Sequence, residues 1–236
     1  MRLSRVCALA ILAVGCIAIG SPVQAQDVQI GVRNGVVVST LRGDLFYPGL
    51  EFEGGQVRTT HQAGIQVAGA LAVSLSDRVA VQAELQYAQK GAALRGTWSQ
   101  ETCGGPLVDC IIPSLDGTYR ASYVQLPILL AWRQPLGHGL SLRLLAGPSF
   151  DLVVDTQIVT GTLSESALPE NALSPMSRET LGAVAGVEVQ YDVTAAGALV
   201  LGARYHPGIT GIDMLNVDST VRSRAYGIRL GYSFRL

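Results

Sequence analysis

The chain of 236 residues is poor in charge and rich in apolar side chains: 15% of its residues are charged and 48% are hydrophobic. Soluble domains carry about 25% charged residues, so a typical solvated surface is excluded. A formal net charge of −1 and a single lysine, Lys90, exclude the basic patch that nucleic-acid binding needs.

The first 25 residues have the three parts of a secretory signal peptide. Arg2 and Arg5 precede an apolar stretch over 6–19, and small residues follow up to Ala25, where a signal peptidase would cut. A lipoprotein signal ending at Cys16 is the competing interpretation, but the leucine usual three positions earlier is absent. We therefore predict a signal peptide over 1–25 and a mature domain over 26–236.

The mature chain repeats one pattern, in which apolar residues alternate with small or polar ones. Side chains on a strand alternate between two faces, so this pattern predicts strands with one apolar face. No segment reaches the roughly 18 consecutive apolar residues of a membrane-spanning helix. Eight strands are predicted, over 28–41, 59–73, 79–90, 118–133, 140–150, 180–191, 198–207 and 225–236.

The links between these strands alternate strictly between short and long. Short links cover 74–78, 134–139 and 192–197, and long links cover 42–58, 96–117, 155–176 and 208–219. This alternation is typical of an all-β, eight-stranded antiparallel up-and-down transmembrane barrel with short periplasmic turns and long extracellular loops. A soluble calycin-type barrel is the competitor, but its outer face would be charged, whereas the non-apolar face here is mostly Gly, Ala, Ser and Gln. We expect the protein to lie in the outer membrane, in contact with its lipid.

The polar face of the strands predicts what fills the lumen. Eight strands leave an interior only wide enough for side chains, and charges in such an interior are stable only when paired. A plugged lumen follows. The alternative is a narrow anion-preferring path, since arginines exceed acids on this face. The predicted lumen charge network consists of Arg33, Glu84, Arg143, Glu188, Arg204 and Arg229, beside several glutamines.

Cys103 and Cys110 are the cysteines of the predicted mature domain. In an exported protein this pair predicts a disulfide that closes a short, turn-rich loop. Its role is either to hold a rigid exposed loop tip or simply to staple the loop. A metal site would need more ligands nearby, so we expect neither a metal nor a cofactor.

Catalytic motifs are missing, since the chain has neither Gly-x-Ser-x-Gly nor His-Glu-x-x-His. His138 lies in a predicted turn, and we interpret His61 and His206 as hydrogen-bonded residues at the barrel rim. A lipid-modifying hydrolase that uses one of these two is the enzymatic alternative. We predict a monomeric, non-enzymatic protein with a structural or recognition role, whose long loops bind a surface ligand or a partner protein.

Several short pieces of the sequence carry a resemblance to a known family. They are Glu-Leu-Gln-Tyr-Ala-Gln-Lys-Gly at 84–91, Tyr-Val-Gln-Leu-Pro-Ile-Leu-Leu at 123–130, Ala-Gly-Pro at 146–148, Gly-Val-Glu-Val at 186–189, Arg-Tyr at 204–205 and Gly-Ile-Thr at 208–210. In this order they resemble the outer-membrane β-barrel domain of Bacteroidota-type bacteria, often labelled PorT-family or porin family. The resemblance implies an eight-stranded outer-membrane barrel and no particular activity. It also implies a local irregularity at Pro127, which cannot donate a ladder hydrogen bond.

Overall fold

The structure is a computed structural model that describes residues 27–42, 56–97, 115–160, 179–210, 212–213 and 220–236. Among these residues, no helix has the length and apolar character needed to cross a membrane. The strands are β1 (Val28–Arg42), β2 (Gln56–Ser74), β3 (Val79–Thr97), β4 (Leu115–Gly137), β5 (Leu140–Thr160), β6 (Glu179–Asp192), β7 (Gly197–Pro207), β8 (Ile212–Asp213) and β9 (Thr220–Arg235).

Eight of these strands close into an antiparallel barrel. Each strand from β1 to β7 pairs with the next along the chain, β7 pairs with β9, and β9 pairs with β1. The closing ladder runs from Gln29 opposite Arg235 to Arg42 opposite Arg222. Closure matters because an open edge in lipid would leave backbone donors and acceptors without partners. The short strand β8 pairs with β9 outside this ring. The eight-stranded up-and-down barrel predicted from the sequence is confirmed.

The two ends of the barrel carry connections of very different length. At one end, the turn end, residues 75–78, 138–139 and 193–196 join consecutive strands. His138 is exposed in the tightest of these turns, where Gly137, His138 and Gly139 all have positive φ. At the other end, the loop end, the connections over 43–55, 98–114 and 161–178 lie outside the described residues. This is the predicted alternation of short and long links.

The outer face of the wall is an apolar band. Val32 on β1, Leu85 on β3 and Ile228 on β9 are each more than 60% exposed, at 62%, 63% and 62%. An apolar surface that surrounds the whole protein is unfavourable in water and suits contact with lipid. Aromatic residues flank the band, where interfacial girdles form: Trp132, Tyr191 and Phe234 towards the turn end, and the stacked pair Tyr205 and Tyr226 towards the loop end.

Several strands run further than the alternation predicts. β3 continues to Thr97 and β5 to Thr160, where the predicted strands end at 90 and 150. The extra residues pair with β4 towards the loop end. Backbone hydrogen bonding extends the ladder whether or not the outward side chains are apolar.

The barrel wall has several local irregularities. The register shifts by a residue in β2 between His61 and Gln66, in β5 between the partners of Ser122 and Tyr123, and in β4 between Pro135 and Gly137. The β3–β4 pairing is also interrupted beside Pro127 and resumes in the same register, as expected for a residue without an N–H donor.

Two sequence predictions lie outside the described residues. They are the signal peptide over 1–25 and the disulfide between Cys103 and Cys110. Both stay predictions.

Candidate functional site in the barrel lumen

Five charged side chains meet in the middle of the lumen. Glu84 comes from β3, Glu188 from β6, Arg143 from β5, Arg204 from β7 and Arg229 from β9. Each is at most 8% exposed. All five occupy inward positions of their strands, so closure of the barrel directs them towards its axis. We call this group the central cluster.

Glu84 is held by two arginines from the far side of the barrel. Arg204 donates from Nη2 to Oε1 at 2.7 Å and from Nη1 to Oε2 at 2.9 Å. Arg229 donates from Nη1 to Oε2 at 2.9 Å. Paired guanidinium–carboxylate hydrogen bonds are among the strongest in proteins. Because β3 is not a neighbour of β7 or β9 in the sheet, these contacts cross the lumen and tie its walls together.

Glu188 shares the same arginines and brings in a third. Its Oε1 accepts from Arg204 Nη2 at 3.0 Å and from Arg229 Nη2 at 3.1 Å, and its Oε2 lies 3.5 Å from Arg143 Nη1. Arg143 also donates to Gln82 Oε1 at 2.7 Å, and Gln82 donates to Glu84. Every charged group of the central cluster therefore has a partner of opposite charge, as a low-dielectric interior requires.

Arg33 is buried in the lumen but stands apart from the central cluster. It is 2% exposed, and it donates to Ser233 Oγ at 2.8 Å and to the Tyr232 carbonyl at 3.1 Å. None of the ion pairs found among the described residues includes it. The reason is register: Arg33 lies opposite Gly231, nearer the turn end than Arg229. Of the six residues predicted as one network, the structure brings five together.

Three glutamines extend the hydrogen bonds from the central cluster towards the loop end. Arg229 Nη1 lies 3.5 Å from Gln86 Oε1. Gln86 Nε2 donates to Gln66 Oε1 at 3.1 Å and to Gln125 Oε1 at 3.2 Å. Gln125 Nε2 in turn lies 3.5 Å from His206 Nδ1. A continuous polar column therefore runs up the lumen.

The column ends in a second group of charged residues, which we call the outer cluster. It consists of Lys90 on β3, Asp151 on β5 and His206 on β7, all at most 8% exposed. Lys90 Nζ lies 3.3 Å from His206 Nδ1 and 3.7 Å from Asp151 Oδ2. Ser149 Oγ donates to Asp151 Oδ1 at 2.5 Å. The Lys90 ammonium also lies 5.2 Å from the centre of the Tyr123 ring, within cation–π range.

The contacts of His206 assign its tautomer. An ammonium group has only donors, so His206 Nδ1 accepts from Lys90 and the ring proton is on Nε2. Nε2 lies 3.1 Å from Asp151 Oδ2, but the N–H bond is poorly aligned with this oxygen, so Nε2 has no hydrogen-bond partner. His206 and Asp151 are thus in close contact without a well-aligned hydrogen bond.

The outer cluster does not have the order of a Ser-His-Asp triad. In a triad the hydroxyl faces one ring nitrogen and the carboxylate faces the other. Here Lys90 takes one nitrogen of His206, and the Ser149 hydroxyl donates to Asp151 instead. His61 is exposed on β2. Among the described residues, no group of three or more His, Cys, Asp or Glu side chains could hold a metal ion.

The sequence analysis does not predict the outer cluster. It places His206 at the barrel rim, whereas the structure buries this side chain in the lumen. The predicted strand ended at Phe150, one residue before Asp151. Lys90 is the last residue of its predicted strand. The signal was nonetheless present, because continuing the alternation from Ser149 turns Asp151 inward and continuing it from Glu84 turns Lys90 inward.

Glycines on the inner face give these side chains their space. A Cβ at Gly202 would lie 2.8 Å from Glu188 Cγ, and one at Gly186 would lie 2.9 Å from Arg204 Cγ. On the lipid face, a Cβ at Gly69 would meet nothing within 4 Å. The inner glycines are therefore part of the packing around the charges.

A closed barrel with an apolar outer band and a charged lumen is the architecture of an outer-membrane protein. The sequence profile described as "Outer membrane protein beta-barrel domain" matches residues 24–213. The chain belongs to this family. Family membership and fold together indicate that the protein lies in the outer membrane. No curated protein sequence matches the chain.

Solved outer-membrane barrels share the fold. The outer membrane protein OprG of Pseudomonas aeruginosa is 12% identical, with a TM-score of 0.52 over 88% of this chain and 95% of that one. The outer membrane protease OmpT of Escherichia coli is 8% identical, with a TM-score of 0.47 over 91% and 99%. The attachment invasion locus protein Ail of Yersinia pestis is 12% identical, with a TM-score of 0.41 over 87% and 98%. At such identities the likeness to OprG concerns the fold alone, and the other two are too distant to carry an argument.

Proposed function

We propose that this outer-membrane barrel has a plugged lumen and a structural or recognition role that its long loops perform. The observation that carries the proposal is the central cluster, in which Arg204 and Arg229 reach across the lumen to Glu84. A solute that followed the axis would have to separate these buried ion pairs. Breaking such a pair costs about 3–5 kcal/mol, so spontaneous opening is rare.

The lumen around the cluster supports the same proposal. The cavity lined by Gln66, Gln86, Lys90, Arg204 and His206 has a volume of about 20 Å³. A space of this size holds about one water molecule. Its small size supports a plugged lumen, since wide barrels that conduct have a water-filled interior.

The recognition role rests on the placement of the long connections. The links over 43–55, 98–114 and 161–178 all leave the loop end of a rigid barrel, and binding functions concentrate on such loops. We propose that they bind a surface ligand or a partner protein outside the cell. The protein has no catalytic role in this proposal, since neither nitrogen of His206 faces a hydroxyl.

Planar-bilayer recording with the purified, refolded protein tests the plugged lumen. We expect no conductance steps from the wild type, and small steps from the double variant Glu84→Ala/Glu188→Ala, which removes both carboxylates of the central cluster. Regular steps from the wild type would contradict the proposal.

A small anion-preferring channel is the second candidate, and one observation favours it. In the part of the chain that the structure describes, five buried cations, Arg33, Lys90, Arg143, Arg204 and Arg229, face three buried carboxylates, Glu84, Asp151 and Glu188. If the wild type does conduct, this excess predicts a reversal potential on the anion side in a salt gradient. A cation-selective current would exclude this candidate.

The export route and the family branch belong to the same proposal. We propose that residues 1–25 are removed as a signal peptide, leaving a barrel domain over 26–236, and that the chain belongs to the PorT-type branch suggested by its sequence pieces. Amino-terminal sequencing of the membrane-extracted protein tests the cleavage, and an amino terminus before residue 20 would contradict it.

A further inference from the structure

A small cavity lies between the central and outer clusters. Its volume is about 20 Å³, and its polar lining consists of Lys90, Arg204, His206, Gln66 and Gln86. The charged residues of this lining, Lys90 and Arg204, are both cations, and His206 is neutral. The cavity has room for one water molecule or one monatomic ion. Its lining and size together select a narrow class of ligand.

Two cationic donors at this cavity have unused hydrogen-bonding capacity. The Lys90 ammonium has three N–H groups, and among the described residues it reaches only His206 Nδ1 at 3.3 Å and Asp151 Oδ2 at 3.7 Å. Nε of Arg204 is buried without a hydrogen-bond partner, although both Nη atoms are engaged. Buried donors of charged groups are costly to leave unpaired. The ligand that fits must therefore accept hydrogen bonds.

The net charge around the cavity decides whether the hydrogen-bond acceptor in it is water or an anion. Among the described residues, Lys90, Arg143, Arg204 and Arg229 face Glu84, Asp151 and Glu188 in the two clusters beside the cavity, which leaves one positive charge uncompensated when His206 is neutral. Arg33 lies apart, nearer the turn end. Uncompensated charge in a low-dielectric interior is unfavourable, and a water molecule would satisfy the donors without neutralising it. An anion does both, and the volume excludes polyatomic anions such as phosphate.

We propose that this cavity binds a single halide ion, chloride under physiological conditions, between Lys90 and Arg204. The ion completes the polar column by joining the outer cluster to the central cluster through their cations. The proposal needs no ion conduction, so it stands or falls independently of the conductance recording above.

Bromide is the direct probe, because its anomalous scattering distinguishes it from water. Crystals of the wild-type protein in detergent, grown or soaked in sodium bromide, are expected to show an anomalous peak within about 3.5 Å of Lys90 Nζ and close to Arg204, a distance typical of hydrogen bonds to a large anion. A cavity that contains water but no anomalous peak would overturn the proposal.

Chloride-dependent stability is the solution test. Thermal unfolding of the protein in micelles is compared in sodium chloride and in sodium gluconate at equal ionic strength, since gluconate is too large for the cavity. Above the dissociation constant, each tenfold rise in chloride is expected to raise the folded-to-unfolded ratio about tenfold, because the ion binds only the folded state.

Two variants locate the effect. Lys90→Met is expected to lose the difference between the two salts, whereas Arg78→Met, which removes a cation from an exposed turn, is expected to keep it. Equal midpoints of the wild type in both salts, or full chloride stabilisation in Lys90→Met, would overturn the proposal. If Lys90→Met does not fold, the wild-type salt comparison and the bromide peak still decide.

Discussion

Glu84 and Leu85 are consecutive residues of β3 that meet opposite surroundings. Glu84 is 1% exposed and accepts hydrogen bonds from two arginines, whereas Leu85 is 63% exposed. A soluble domain would place the carboxylate outside and the leucine inside. The two faces of the wall therefore have different requirements. The lumen face requires paired charges and small neighbours, and the outer face of an outer-membrane barrel requires apolar surface.

The largest effect is expected from the lumen side of this comparison. Glu84→Gln should lower the free energy of unfolding by about 3–5 kcal/mol, because Arg204 and Arg229 stay buried with only Glu188 to share. Urea titration in lipid vesicles, followed by heat-modifiable gel mobility, measures it. Asp77→Asn in the exposed turn over 75–78 is the control and should stay within about 0.5 kcal/mol. Equal losses in both variants would mean that the lumen is well hydrated.

On the outer face, introducing a charge is expected to destabilise the protein, whereas in the lumen the removal of a charge does so. Leu85→Arg is expected to cost about 2–4 kcal/mol in the same titration, because an arginine there must leave water for the apolar band. Leu85→Met keeps the apolar surface and should change the free energy of unfolding by less than about 1.5 kcal/mol. If the two variants were equally stable, Leu85 would not be in contact with lipid.

Two glycines, one on the lumen face and one on the outer face, test the same difference with smaller expected effects. Gly202→Ala should destabilise by about 1–3 kcal/mol, since its Cβ would lie 2.8 Å from Glu188 Cγ. Gly69→Ala should instead stabilise by about 0.4–1 kcal/mol, because its Cβ meets open space and the unfolded chain loses freedom. The difference in free energy of unfolding between the two variants is the measurement, and the same sign for both would contradict the assignment of faces.

The smallest effect is expected where a carboxylate meets water. Asp192 lies 3.8 Å from both Arg133 and Arg235 at the turn end, and all three side chains are partly exposed. Asp192→Asn should therefore cost less than about 1 kcal/mol and respond to added salt. A loss as large as that of Glu84→Gln would show that burial is not what distinguishes the two carboxylates.

Many lumen residues could be predicted from the sequence, because the alternation of side chains along a strand decides which side of the wall each residue faces. Glu84, Arg143, Glu188, Arg204 and Arg229 were assigned inward on this basis, and the structure buries them. The alternation does not give the position of a residue along the barrel axis. The predicted network therefore includes Arg33 with carboxylates that it does not reach. The sequence does not group Lys90, Asp151 and His206, because they lie near or just beyond the ends of three predicted strands and the alternation does not tell which strand ends meet.

From the sequence alone follow the number of strands in the barrel, their order, the end that carries the long connections and the face that is apolar. These properties follow from local periodicity and link length, which act over a few residues. Which charges meet depends on the closed barrel. Glu84 and Arg204 are 120 residues apart, and their contact depends on the register in which β9 closes against β1 and on the stagger of every strand between them. No local pattern encodes that sum of registers.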